Sequence, residues 1–193
     1  NAQSAVGAFA GRRYGWAESA ANTVAIEGCY VDENVYITGY NVGGLIGYSA
    51  DNYSASILNC YSKAQLTGSN SAYMLVGASA ANNAVKINDS YAVGDKNLAP
   101  NSVVITNCYT NYADTTNTTA TVLTLDQMMG PVSKKNITLD KEVWYVGGEG
   151  KTPQLRAFDD TLPPVERDPE VWNGTIATGF NGGNGSKNDP YQI

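Results

Sequence analysis

Apolar residues in the first 112 positions come in short runs, not at helical spacing. Val42-Gly43-Gly44-Leu45-Ile46-Gly47 and Ile57-Leu58-Asn59-Cys60-Tyr61 are typical, and Gly, Asn, Asp and Ser clusters separate such runs. Runs of this length, rich in Val, Ile, Leu and Tyr and bounded by turn formers, predict short β-strands. The runs also repeat. Val42 to Gly47 has a counterpart in Val6-Gly7-Ala8-Phe9-Ala10-Gly11 and another, with its glycines degraded, in Ala72-Tyr73-Met74-Leu75-Val76-Gly77.

A second motif travels with the first. Ile26-Glu27-Gly28-Cys29-Tyr30, Ile57 to Tyr61, Ile87-Asn88-Asp89-Ser90-Tyr91 and Ile105-Thr106-Asn107-Cys108-Tyr109 align, with Cys-slot spacings of 31, 30 and 18. After the Tyr comes a short strand ending in Thr-Gly, at Ile37-Thr38-Gly39 and Leu66-Thr67-Gly68. A unit of about 30 residues cannot bury its own apolar face, but stacking unit on unit buries each slot against its equivalents. The expected fold is therefore all-β: a parallel β-helix or β-solenoid of about three to four turns. Its core ladder would run through Ile26, Ile57, Ile87 and Ile105, with Cys29, Cys60, Ser90 and Cys108 in a second column. Glycine closing the first motif would supply a bend that a Cβ obstructs.

The pattern V-G-G-L-I-G-Y, then I-x-N-C-Y-S, then L-T-G resembles the GLUG repeat of bacterial extracellular and surface proteins. Val42 to Gly68 is the best copy, and the likeness extends over about Ala5 to Tyr112. The resemblance implies a secreted, cell-surface β-helical protein, in some relatives joined to peptidase or adhesin modules. It brings no catalytic residues with it, and the His-containing zinc motif of peptidase members has no counterpart in a chain without histidine.

The repeat stops after Tyr112, so residues 1–112 read as solenoid and 113–158 as a capping and closing segment. Within the latter, Thr124-Leu125-Asp126-Gln127-Met128-Met129-Gly130 predicts a short helix with a Thr cap, an early Asp and a Gly stop, placed to close the open end of the stack and protect its edge strands. Val143-Trp144-Tyr145-Val146, Gly147-Gly148 and Thr152-Pro153-Gln154-Leu155 read as the last strands. Residues 159–170, with three prolines and five acidic side chains, read as a semi-rigid linker. Residues 171–193 form a terminal strand extension resembling the opening of a further module. Two explanations stand for it: the chain is a fragment, or Trp172, Ile176, Phe180, Tyr191 and Ile193 dock on the open end of a neighbouring copy and build a head-to-tail fibre.

Composition narrows the function. Charged residues are 16% and the net charge is −6, with no basic stripe, which disfavours nucleic acid. No run of 18 apolar residues exists to span a membrane, and no signal peptide is visible at the start. Tyr outnumbers Phe by 13 to 3, which suits half-buried strand surfaces with a polar tip at the water boundary.

Candidate chemistry is sparse. The absence of His removes the commonest general base and metal ligand. Cys29, Cys60 and Cys108 read as packing residues rather than redox or metal groups, since Ser90 is accepted in the same slot. Adjacent rungs bring Cys29 and Cys60 within disulfide reach, whereas Cys108 lies beyond the Ser90 rung and stays free. The carboxylate pairs Asp32-Glu33 and Asp159-Asp160, and the group Glu166, Asp168 and Glu170, read as solvated, not as a glycosidase pair. The loop from Asn181 to Asp189 has the oxygens for calcium but only one carboxylate, and turn chemistry accounts for it. Six Asn-x-Ser/Thr sequons are what a chain this rich in those residues shows by chance. The expectation is a non-enzymatic module at the cell surface, with no cofactor: a structural or adhesive scaffold whose partners are copies of itself, neighbouring modules, or host and matrix glycans and proteins. The alternative is a carbohydrate- or protein-binding module of a larger surface protein, its exposed Tyr-rich strands contacting ligand.

Overall fold

The computed structural model describes residues 4–13, 23–49, 54–80, 85–112 and 119–165. The chain divides into two compact units between Pro163 and Pro164, and every described strand and helix belongs to the first. Among the described residues the fold is all-β, with two single-turn α-helices and one 3-10 turn at Arg156–Phe158.

Strands follow one another in a fixed rotation. The first repeat supplies β1 (Ala5–Gly7), β2 (Ala10–Arg13), β3 (Thr23–Glu27) and β4 (Tyr30–Val31), and the second β5 (Tyr36–Gly43), β6 (Ile46–Ser49), β7 (Ser54–Leu58) and β8 (Tyr61–Ser62). Then come β9 (Gln65–Tyr73), β10 (Val85–Asn88), β11 (Tyr91–Ala92), β12 (Val104–Thr106), β13 (Tyr109–Thr110) and β14 (Thr121–Val122). Each strand pairs in parallel with its equivalent one repeat away, giving sheets ordered β1-β5-β9, β2-β6, β12-β10-β7-β3 and β14-β13-β11-β8-β4.

The register is that of the repeated motifs. Val6 lies opposite Val42 and Val42 opposite Ala72, while Ile46 faces Ala10 on one side and Val76 on the other. Ile26, Ile57, Ile87 and Ile105 form one column across β3, β7, β10 and β12, all buried. A single apolar cluster joins that column to Val31, Val42, Leu45, Leu66, Leu75 and Ala92. The burial follows from alternation: in β7 the inward Ala55 and Ile57 are buried, while Ser54 is exposed.

One expectation is corrected. The strands carrying Thr38-Gly39 and Thr67-Gly68 do not end there: β5 and β9 run on through residue 43 and residue 73 into the Gly-rich motif. A register irregularity between Gly39 and Asn41 lets one strand carry both motifs. The motif glycines, moreover, answer to crowding: a Cβ on Gly43 would collide with the Ile46 carbonyl and crowd the Gly77 amide of the next repeat.

Positive φ is used elsewhere. Gly28 (φ 60°), Asn59 (φ 52°), Asp89 (φ 48°) and Asn107 (φ 49°) occupy one slot in four repeats, at the corner between the Ile column and the Tyr strands. The left-handed conformation turns the chain sharply there, and Gly, Asn and Asp are the residues that tolerate it.

The closing segment lies mainly along the side of the stack. Only β14 extends a sheet, adding to β13. Helix α1 (Leu125–Met128), Ile137 just after helix α2 (Ser133–Asn136), and the antiparallel pair β15 (Trp144–Tyr145) and β16 (Gln154–Leu155) pack with Tyr91 and Tyr109 in a second apolar cluster. In α1, Thr124 and Gln127 form a reciprocal capping box, and Gly130 (φ 63°) follows the helix. Helix α2 carries no comparable signal in the sequence; its Ser133 hydroxyl donates to the Gly130 carbonyl.

Candidate functional site

The Cys column is built by the corners. Each left-handed residue interrupts the strand just before the Cys slot, leaving backbone groups for the side chain to satisfy. The Cys29 amide donates to Cys60 Sγ (3.4 Å) and the Cys60 amide to Ser90 Oγ (3.0 Å), one repeat on each time. The same side chains donate back, Cys60 to the Leu58 carbonyl (3.1 Å), Ser90 to Asn88 (2.7 Å) and Cys108 to Thr106 (3.2 Å). The slot thus takes a small group that both donates and accepts, which is why Ser replaces Cys. All three cysteines are free thiols. Burial pushes the Cys60 and Cys108 thiols up to about 12, against the lowering effect of the amides that face them. That is the reverse of an activated thiol.

The Tyr column is the feature with chemistry at its surface. Tyr30, Tyr61 and Tyr91 stand one above another, their rings stacked at 4.9 Å and 4.8 Å. The water-boundary reading of these tyrosines fails at Tyr91, which is fully buried. Its hydroxyl donates to the Pro153 carbonyl (2.7 Å) and lies 3.0 Å from Thr152 Oγ1. Trp144 leans on Tyr91 and Tyr61, with centroids at 5.6 Å and 6.1 Å, and its indole N–H donates to Asn59 Oδ1 (3.0 Å). Lower down, the Tyr109 hydroxyl accepts from the Thr138 amide (3.0 Å) and donates to Asn107 Oδ1 (2.8 Å). Two left-handed corners therefore hold the closing segment as well as turning the chain.

Towards Tyr30 the cover ends and a cleft opens, with a volume of about 520 Å³. Tyr30, Tyr61, Asp32, Glu33, Lys63 and Gln154 line it, with Thr152 and Pro153 from the segment that binds Tyr91. Lys63 Nζ sits 5.6 Å from the Tyr61 ring centre. Burial, and then the neighbouring Tyr30, Asp32 and Glu33, hold the Tyr61 phenol neutral well above its ordinary range. Phe158 meets Tyr30 edge-on at 5.0 Å, and a second hollow of about 150 Å³ lies between them, Asp159 and Leu155. Asp32 and Glu33 are exposed, as their sequence suggests, but they stand at the mouth of a cleft. Nothing local in the sequence signals that residues 152–154 fold back beside them.

Other candidates are placed as follows. Asp159 accepts from the Thr161 amide and hydroxyl, which lowers its pKa, so it serves a turn. Among the described residues no group of three or more His, Cys, Asp or Glu could hold a metal, and no helix is long and apolar enough to cross a membrane. Asn136 donates its side-chain amide to the Gln127 and Val132 carbonyls. Trp172, Ile176, Phe180, Tyr191 and Ile193, the group from Glu166 to Glu170 and the loop from Asn181 to Asp189 lie outside the described residues.

Comparison with known proteins gives one family: the GLUG motif matches residues 38–67, the span from the Thr-Gly of one repeat to that of the next. No curated protein and no solved structure matches the chain.

Proposed function

We propose that this chain, which carries a GLUG motif at residues 38–67, is a structural module of an extracellular surface protein, built as a β-solenoid of about three to four turns. The observation that supports this most is the common register of four parallel sheets around one core, with Ile26, Ile57, Ile87 and Ile105 in a single column. Such an architecture devotes its residues to a repeated wall. Segment 119–158 acts in this reading as its cover, and residues 171–193 as a strand that continues the stack of a neighbouring copy.

The edges of the first repeat support growth. Among the described residues β1, β3 and β4 each pair on one side only, so the other side offers unpaired amides and carbonyls. We assign the C-terminal strand of a neighbouring copy, with Trp172, Ile176, Phe180, Tyr191 and Ile193, as the element that covers them, giving a heterologous contact that elongates. Electron microscopy of the purified chain at rising concentration tests this. Filaments that disappear when residues 172–193 are removed are the expected result; filaments unchanged by the removal, or none from the full chain, end the fibre assignment.

A further inference from the structure

Three tyrosine hydroxyls stand in register beside the closing segment, and only the lowest is fully engaged by it. Tyr91 is bonded to Thr152 and Pro153, whereas Tyr61 and Tyr30, one and two repeats higher, have no hydrogen-bond partner for their hydroxyls among the described residues. They open on the 520 Å³ cleft, within the size range of small-ligand sites.

The lining selects the kind of ligand. Asp32 and Glu33 contribute two carboxylates and Lys63 and Lys151 two ammonium groups, so the cleft has no net charge to hold a free anion or cation. It is too polar for an apolar guest and too small for a macromolecular face, which needs about 1,000 Å² of contact. What it offers is a dense mixture of donors and acceptors beside the edges of two stacked phenol rings. A neutral molecule with hydroxyls around its rim, each able to donate and accept, complements these groups at once.

We propose that the cleft beside Tyr30 and Tyr61 binds a neutral saccharide unit, its hydroxyls donating to Asp32 and Glu33 and accepting from Lys63 and Gln154. The Tyr30 and Tyr61 hydroxyls complete the contact as donors. This site requires only the described geometry of one chain and stands whether or not copies assemble.

Calorimetric and NMR titration of the full chain with a panel of neutral oligosaccharides (glucan, mannan and galactan oligomers) tests it. The expected result is saturable binding by at least one, weakened tenfold or more in the Asp32→Asn/Glu33→Gln double variant. Asp32 and Glu33 are exposed, so the variant keeps the thermal midpoint of the parent. Tyr61→Phe, which keeps the ring stack, weakens the same ligand severalfold. Asp95→Asn, whose carboxylate pairs with Lys96, leaves binding unchanged. No saturable binding to any member, binding only to charged sugars or to peptides, or full affinity in the double variant would each overturn the proposal. Saturable sugar binding by a chain that forms no filaments at rising concentration would end the fibre assignment and leave this site standing.

Discussion

At the scale of single residues, the corner slot separates backbone strain from packing. A Cβ on Gly28 meets nothing within 4 Å, yet its φ is 60°. Gly28→Ala therefore costs about 1 kcal/mol through conformation alone, while Gly28→Asn, the residue used at 59 and 107, stays close to neutral; urea midpoints distinguish the two. The neighbouring slot obeys hydrogen bonding. Cys60→Ser should change stability by less than about 1 kcal/mol, because Ser90 already plays that part. Cys60→Val leaves the Cys29 amide without its acceptor and costs about 1–3 kcal/mol. The thiols also set an alkaline limit. Both buried thiols ionise near 12 in the folded chain against an ordinary 9.0, so the folded state keeps protons that the unfolded state has released. Stability is indifferent to these groups below pH 9 and falls as pH rises from 9 towards 12. Denaturation midpoints should show that decline, and a Cys60→Ser/Cys108→Ser variant should show a shallower one.

At the scale of elements, the bond from Tyr91 to Pro153 fastens the closing segment to the stack. Tyr91→Phe keeps the ring but strands a buried carbonyl, for a loss of about 1–3 kcal/mol. Hydrogen exchange should quicken over residues 144–155 well before it does in β7 or β10. This division also explains what the sequence could reveal. The parallel strands are legible because Ile26, Ile57 and Ile87 recur at nearly constant spacing with the Cys slot and the Tyr beside them. Helix α1 is legible because its cap, its Gln127 and its Gly130 are local signals. The cleft is not. It depends on Trp144 reaching Asn59, 85 residues away, a contact with no periodic counterpart. The tyrosines announce themselves by number, but which of them are covered depends on where that non-repeating segment comes to rest.

At the scale of the whole molecule, the repeats are interchangeable units whose stabilities add through neighbours. Excising residues 57–86 removes one full period of 30 residues and joins Ser56 to Ile87 in the existing register. The shortened chain should still fold, with a lower urea midpoint and a smaller slope because less surface is buried. Excising 72–86 instead, about half a period, should abolish cooperative unfolding. Circular dichroism through the transition reads both. In-register pairing has a further effect on proportions. Each added layer thickens the stack by one strand separation, about 4.8 Å, although its roughly thirty residues drawn straight would extend about 100 Å. Such a chain is a poor tether. The stack gains breadth at the expense of distance, and reach along its axis comes only from many layers in line, each bringing another broad flank.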